Sequence, residues 1–239
     1  MKIFCNKYII IHVGGIEEEV RLLEIGSSVV FTIPLFGGIP ITETIVVEWI
    51  IMAVLILGAA VVTKGWKLVP EGAQNVVELM VEGFNKFVEG ALGEHWRDYA
   101  PYLGTVAAFL ILANTISIFG LTPPTKDIST TSALAIMSIT TVIIASIRAR
   151  GLKGYVKHFF KSPINLFITV LDLFTRPLSL AARLFGNIFA AVTIMELIER
   201  AVPIVVPAVF SLYFDLFDGL LQMLVFVFLT MLYIEEAIE

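Results

Sequence analysis

The most unusual chemistry in this sequence is a set of polar side chains inside a long apolar segment. Arg176, Ser179, Arg183 and Asn187 follow one another at intervals of three or four residues, so an α-helix would carry all four on one face. Arginine keeps its charge, with a pKa above about 12, and its insertion at the centre of a membrane helix costs at least about 2.5–3.5 kcal/mol. A fixed positive charge at that depth is suited to binding a carboxylate that approaches and leaves reversibly.

Small residues surround Arg183 in the sequence. They are Ala181, Ala182, Gly186, Ala190 and Ala191. Such residues let another helix approach closely. Two simpler interpretations stay open, namely that Arg183 forms an ion pair within the chain or extends to the membrane interface. For Arg176, which is nearer to one end of the segment, extension to the interface is an equally good interpretation.

A second polar stripe lies in the last apolar segment. Asp215, Asp218 and Gln222 have helical spacing, and two carboxylates with an amide at membrane depth are typical of a proton or ion path. The alternative is that the two aspartates lie near the outer interface and are solvated. The same two interpretations hold for Glu196 and Glu199 at the end of the preceding apolar segment.

The composition predicts a membrane protein. Of the 239 residues, 58% are hydrophobic and only 15% are charged, whereas soluble domains carry about 25% charged residues. The formal net charge is -5, and no basic tail indicates a nucleic-acid partner. Cys5 is the single cysteine, which excludes a disulfide within the chain, and no nucleotide-binding or zinc-protease motif is present. We therefore expect no cofactor, no metal site and no soluble-enzyme chemistry.

The apolar runs predict an all-α membrane protein with about five transmembrane helices and one amphipathic interfacial helix. The predicted spans are 45–62, 99–121, 128–147, 163–198 and 202–234. The interfacial helix is predicted at 70–91, where apolar and acidic residues alternate at helical spacing, and a short strand or turn is predicted at 28–40. We divide the chain into an N-terminal extracytoplasmic segment, 1–40, and a single transmembrane helical domain, 41–239.

The last two predicted helices are too long to stand upright. About 36 residues give about 54 Å of helix, against a hydrocarbon core of about 30 Å, so these helices are expected to be tilted, and Pro177 can bend the first of them. Orientation follows from the basic segment after the third span. Its five cations, on the cytoplasmic side by the positive-inside rule, are Arg148, Arg150, Lys153, Lys157 and Lys161. Five spans then place the N-terminus outside and the C-terminus in the cytoplasm.

Residues 176–187 read R-P-L-S-L-A-A-R-L-F-G-N, and this run resembles subunit a of the F-type ATP synthase, whose essential arginine lies in a sequence of the form S-L-x-x-R-L-F-G-N. Residues 41–49 are similar to the start of that family's first helix, and residues 221–233 are similar to its final helix. The resemblance covers roughly residues 30–236.

The resemblance implies a stator subunit of a rotary ATP synthase in a bacterial inner membrane. Its partners would be the c-ring subunits, the b subunits of the peripheral stalk, the lipid membrane and a translocated H⁺ or Na⁺. Two ion half-channels would lie beside the ring, with no ATP chemistry on this chain. By resemblance, Arg183 faces the ring carboxylate and separates the half-channels, Ser179 and Asn187 lie one turn to either side, Gln222 lies near the arginine, and Asp215 lines the outer half-channel.

The sequence departs from the family pattern at one position. Nine residues after Arg183, where some members carry a channel-lining acid or histidine, this chain has Val192. We expect Glu196, one turn further on, to supply that carboxylate. Two other classes of function make different predictions. A self-contained secondary ion-coupled transporter would show inverted repeats, which the sequence lacks, and a structural scaffold would tolerate Arg183→Leu without loss of transport.

Overall fold

The structure, a computed structural model, describes residues 11–13, 16–18, 29–33, 39–64, 66, 72–159, 163–201 and 210–238. For some residues within these ranges, among them Glu196 and Asp215, it describes only the backbone. The chain divides into two compact units, Met1–Glu43 and Thr44–Glu239. The predicted boundary after residue 40, and the extracytoplasmic location of the first segment, stay predictions.

The described residues of the first unit form two pairs of antiparallel β-strands. Strand β1 (Ile11–Val13) pairs with β2 (Ile16–Glu18), and β3 (Val29–Ile33) pairs with β4 (Ile39–Thr42). Strand β3 lies in the region where a short strand or turn was predicted, and its valine, phenylalanine and isoleucine content is typical of strands.

The second unit is helical. The α-helices with described bounds are α1 (Glu43–Thr63), α2 (Ala73–Leu92), α3 (Trp96–Thr115), α4 (Ile128–Phe159), α5 (Pro163–Ala201) and α6 (Gly219–Ile238). A π-helical segment, Leu212–Asp218, leads directly into α6. Five stretches are long and apolar enough to cross a membrane, which are Glu43–Thr63, Gln74–Phe119, Ile128–Lys153, Thr169–Met195 and Leu212–Ile238. The predicted all-α membrane fold is confirmed.

Local chemistry sets the two ends of the long helix α4. The preceding helical region ends at Phe119, where Gly120 caps it with φ +75°, a left-handed conformation that glycine adopts without strain. Asp127 then caps α4, since its Oδ1 accepts from the backbone N–H of Ser129 at 3.0 Å. Near the other end, Gly151 has φ +71°, which breaks the helix at a conformation that glycine adopts without strain. The basic segment after the third span is thus partly helical rather than a simple loop.

Helix α2 occupies the region predicted to be an amphipathic helix. It buries Val88 and Leu92 in a cluster formed with α3, α4 and α6, whereas Val76 and Met80, on the predicted apolar face, are exposed. An interfacial location of α2 therefore stays a prediction.

The core lies where α3, α4, α5 and α6 meet. Its fully buried members include Leu110 of α3, Leu180 and Leu184 of α5, and Phe226 of α6. A buried group of hydrogen-bonded residues, which we call the Asn114 node, lies at one end of this core. Asn114 donates through Nδ2 to the carbonyl oxygen of Gly219 at 3.2 Å and accepts at Oδ1 from the hydroxyl of Thr125 at 3.0 Å. This node fixes the start of α6 against α3.

Helix α5 is longer than an upright membrane span. Its 39 residues extend about 58 Å at about 1.5 Å per residue, and the helix continues through Pro177. Even the apolar stretch Thr169–Met195, of 27 residues, exceeds a hydrocarbon core of about 30 Å. The expectation of a long helix that must tilt or extend beyond the bilayer core therefore agrees with the described helix.

Candidate functional site

Helix α5 has two chemically different faces, and the candidate site lies at their border. One face packs into the core through Leu180, Leu184, Ile188 and Ala191, all buried. These positions recur at intervals of three or four residues, as expected for one side of an α-helix. The sequence places large apolar residues on this side, and their packing fixes the rotation of α5 about its axis.

The other face of α5 is exposed and carries small residues around a single arginine. Its exposed members are Ser179, Ala182, Arg183, Gly186 and Ala190. Arg183 therefore lies on the outer surface of the isolated chain, not in its core, and among the described residues it makes no ion pair. The short neighbouring side chains leave room for another helix to approach the guanidinium.

One turn from Arg183, three polar side chains of α5 and α6 converge. Asn187 donates through Nδ2 to Oδ2 of Asp218 at 2.7 Å and, more weakly, to Oε1 of Gln222 at 3.4 Å. An amide nitrogen carries two hydrogens, so both contacts can form together. Asp218 is at the end of the π-helical segment, a local geometry that is frequent at functional sites.

Gln222 is the most deeply buried member of this set. Only 4% of the residue is exposed, and within the described part of the chain its Nε2 has no hydrogen-bond partner. A buried donor without a partner costs about 1–3 kcal/mol, so this amide is poised to donate to an acceptor from outside the described residues. The site thus combines a fixed cation, a carboxylate and an amide donor within about one helical turn.

Arg176 has a different environment from Arg183. Its Nη2 donates to Oε1 of Glu236 at 2.8 Å and to Oδ2 of Asp172 at 3.2 Å, and its guanidinium lies 4.9 Å from the ring centre of Tyr233. These contacts show that Arg176 bridges α5 and α6. Whether this ion pair lies at the membrane interface stays a prediction.

The structure thus divides the predicted four-residue stripe. Ser179 and Arg183 are exposed, whereas Arg176 and Asn187 contact α6. Of the second stripe, Asp218 and Gln222 meet Asn187, and the side chains of Asp215 and Glu196 lie outside the described residues. The predicted stripe through Asp215 assumed α-helical spacing, but the backbone there is π-helical, which changes the relative directions of its side chains.

Sequence reasoning missed the partners of Arg176. The spacing of Asp172 and Arg176, four residues apart on one helix, could have identified the first of them. Glu236 and Tyr233 come from another helix, more than 50 residues later, and no local spacing predicts such a contact. The Asn114 node was missed for the same reason.

Comparison with known proteins identifies the family of this chain. The sequence profile of the family described as "ATP synthase A chain" matches residues 45–235. ATP synthase subunit a of Moorella thermoacetica is 38% identical over 206 residues, which cover 85% of this chain and 94% of the relative. The sodium ion specific ATP synthase subunit a of Propionigenium modestum is 35% identical over 219 residues, covering 84% and 75% of the two chains. The matched region includes α5, α6 as far as Glu235, and all of the polar side chains described above except Glu236, and the chain belongs to the ATP synthase A chain family.

Proposed function

We propose that this chain is the ion-translocating stator subunit in the membrane sector of a rotary ATP synthase. In this role it forms two half-channels beside a ring of c subunits and couples H⁺ or Na⁺ movement to ring rotation. The observation that carries the proposal is the exposed face of α5, where Arg183 stands alone among small residues. This surface suits a close helix partner that presents a carboxylate.

Arg183 would act through its permanent charge. A guanidinium within a few ångströms favours the ionised form of a carboxylate, so a ring carboxylate that reaches Arg183 releases its ion. The same positive charge repels a cation that moves directly from one half-channel to the other. Arginine keeps its positive charge in proteins, so this barrier does not depend on a titrating group.

The polar set next to Arg183 supports an ion path. We assign Asn187, Asp218 and Gln222 to it on the strength of their mutual contacts. Asp215 and Glu196 complete the outer half-channel in this proposal, with Glu196 replacing the acid that is absent at Val192. Ser179 extends the exposed polar surface by one turn on the other side of Arg183.

The remaining partners follow from the stator role. The chain would contact the b subunits of the peripheral stalk and lie in a bacterial inner membrane, with its N-terminus outside and its C-terminus in the cytoplasm. The cations around Arg150 and Lys153 support this orientation. In a Cys5→Ser background, labelling of a Lys153→Cys variant by a membrane-impermeant thiol reagent only from the cytoplasmic side would agree with this orientation, and labelling from the outside would reverse it.

The test is a physical association at the exposed face of α5. A tagged chain should co-purify with a ring of small hairpin subunits that each carry one carboxylate in mid-membrane. In a Cys5→Ser background, Ala182→Cys should form a disulfide with a cysteine placed beside that carboxylate. Leu57→Cys, an equally exposed position on α1, should not. Equal crosslinking from both positions, or purification without a ring, would contradict the proposal and favour a self-contained transporter.

A further inference from the structure

Two polar links join α5 directly to α6, and they lie at different levels of the helix pair. The first link consists of Arg176 with Glu236 and Tyr233, and the second consists of Asn187 with Asp218 and Gln222. Later residues of α5 pair with earlier residues of α6, so the two helices are antiparallel.

The two links have matched spacing on the two helices. Arg176 and Asn187 are eleven residues apart on α5, and Gln222 and Tyr233 are eleven residues apart on α6. Both intervals correspond to about 16 Å along a helix axis. The two carboxylate partners, Glu236 and Asp218, are 18 residues apart and extend beyond these two positions. A slide of α5 along α6 therefore displaces the partners of both links together.

Arg183 lies between the two links. It is seven residues from Arg176 and four residues from Asn187, or about 10 Å and 6 Å along the helix. Apolar packing alone only weakly sets the position of Arg183 along the α5 axis relative to α6. The contacts among Leu180 and Leu184 of α5 and Phe226 of α6 are not directional. Hydrogen bonds and ion pairs carry the directionality that packing lacks.

We infer that Arg176 is a positioning residue that locks the register of α5 against α6 and so holds Arg183 level with the Asn187–Asp218–Gln222 set. The lock combines three contacts on one guanidinium. Asp172 forms an ion pair with it from the same helix, the Tyr233 ring lies against it, and Glu236 of α6 forms a second ion pair with it. The side chain of Arg176 is only 19% exposed, whereas that of Glu236 is 63% exposed, so the guanidinium is the shielded partner of this ion pair. The effect of the lock on coupling rests on the proposed function, whereas its effect on helix register does not.

The register is measured by spin labels in the full-length chain within the assembled enzyme. With Cys5→Ser, nitroxides are attached at Leu178→Cys on α5 and Leu232→Cys on α6, both exposed positions, and the distance distribution is recorded by pulsed dipolar spectroscopy. We expect Arg176→Ala and Glu236→Gln each to raise the population outside the main peak by about threefold, the average effect of an interhelical polar contact in a membrane.

Two variants serve as matched controls. Glu235→Gln removes the same charge from the neighbouring residue and should leave the distribution unchanged. Arg176→Lys keeps a cation and should restore most of the main peak, which also guards against a failure of Arg176→Ala to assemble. A parental distribution in Arg176→Ala, or an equal change in Glu235→Gln and Glu236→Gln, would overturn the register lock.

The functional consequence is measured as the number of ions pumped per ATP hydrolysed. In the same variants this ratio should fall together with the main-peak population and recover in Arg176→Lys. If the distances shift in Arg176→Ala but the ratio stays parental, then Arg176 affects structure without positioning Arg183, and the inference is wrong. If Arg183→Ala itself leaves the ratio parental, then the proposed function fails while the spectroscopic result still stands.

Discussion

Arg176 and Arg183 are the same residue type on the same helix, yet their surroundings differ. Arg176 has its charge met by two carboxylates and an aromatic ring within the chain. Arg183 is exposed on a face of small residues. An unpaired intramembrane arginine costs at least about 2.5–3.5 kcal/mol, so the location of Arg183 is explained by a partner that lowers this cost. Arg176 has partners within the described chain, and in the proposed function Arg183 meets its partner on another subunit.

Asp218→Asn tests the polar set at the residue scale. The asparagine can still accept the hydrogen bond from Asn187, so the chain should insert and assemble normally. It cannot exchange a proton or balance a cation, and we expect ion-driven ATP synthesis to fall by about tenfold or more, in line with the usual contribution of a positioned proton-transfer group. The measurement is the initial rate of synthesis in vesicles energised by an imposed ion gradient.

Asp98→Asn is the control for that change. Asp98 is an exposed acid at the start of α3, away from the polar set in sequence and helix, and its removal should leave the rate near the parental value. A parental rate in Asp218→Asn would remove Asp218 from the path and leave its contact with Asn187 a structural one.

For single residues, the sequence predicted which side chains belong to the candidate site better than it predicted which of them contact one another. Helical spacing correctly indicated that Arg183 shares a face with small residues, because that property depends only on local geometry. It did not predict that Arg176 and Asn187 turn toward α6. The direction of these two side chains depends on the rotation of α5 about its axis. That rotation is set by the packing of the buried residues Leu180 and Leu184 against other helices.

At the scale of elements, the apolar runs predicted the five described stretches that are long and apolar enough to cross a membrane, because a bilayer requires long stretches of apolar residues in continuous helix. Two departures were not predictable in the same way. The break at Gly151 needs a positive φ, and an isolated glycine in a helical pattern does not by itself show that conformation. The π-helical segment Leu212–Asp218 has no characteristic periodicity over so few residues, since it depends on how the start of α6 is held.

Gly219→Ala tests how that start is held. A Cβ at residue 219 would lie 2.9 Å from Cβ of Asn114, so the added methyl group must push α3 and α6 apart or distort the Asn114 node. Such overpacking costs about 1–3 kcal/mol, and we expect a melting temperature lower by at least about 2 °C. The measurement is thermal unfolding of the purified chain in detergent.

Gly58→Ala provides the matched comparison on α1. No atom lies within 4 Å of a Cβ built at Gly58, and alanine favours a helix by about 0.5–1 kcal/mol over glycine, so this variant should melt at the parental temperature or above it. If both substitutions lower the melting temperature equally, close packing at Gly219 does not secure the start of α6.

For the whole molecule, the distribution of polar contacts is as informative as the fold. The described polar links of α5 and α6 point inward, toward each other, while the small-residue face of α5 is left without them. An interhelical hydrogen bond in a bilayer contributes only about 0.6 kcal/mol on average. The links therefore specify register more than they stabilise, and the apolar core formed by Leu110, Leu184 and Phe226 supplies most of the packing.

Gly186→Leu separates folding from assembly. Gly186 is exposed, and a Cβ built there has no atom within 4 Å, so the isolated chain should keep its melting temperature. A leucine side chain on the small-residue face should instead block the close approach of a ring helix and reduce the amount of co-purified ring by about tenfold, equivalent to about 1.4 kcal/mol of association free energy. Gly58→Leu is the control and should retain the ring. A full complement of ring subunits in Gly186→Leu would place the contact surface elsewhere.

The most direct test of the central claim is ion-coupled ATP synthesis by the Arg183→Ala variant in sealed vesicles, with Arg150→Ala as the matched loss of one arginine outside the site. If Arg183 separates the half-channels and meets the ring carboxylate, the variant will insert and assemble like the parent, yet gradient-driven synthesis will be abolished, while Arg150→Ala will remain active. Sustained gradient-driven synthesis in assembled Arg183→Ala enzyme would contradict this account.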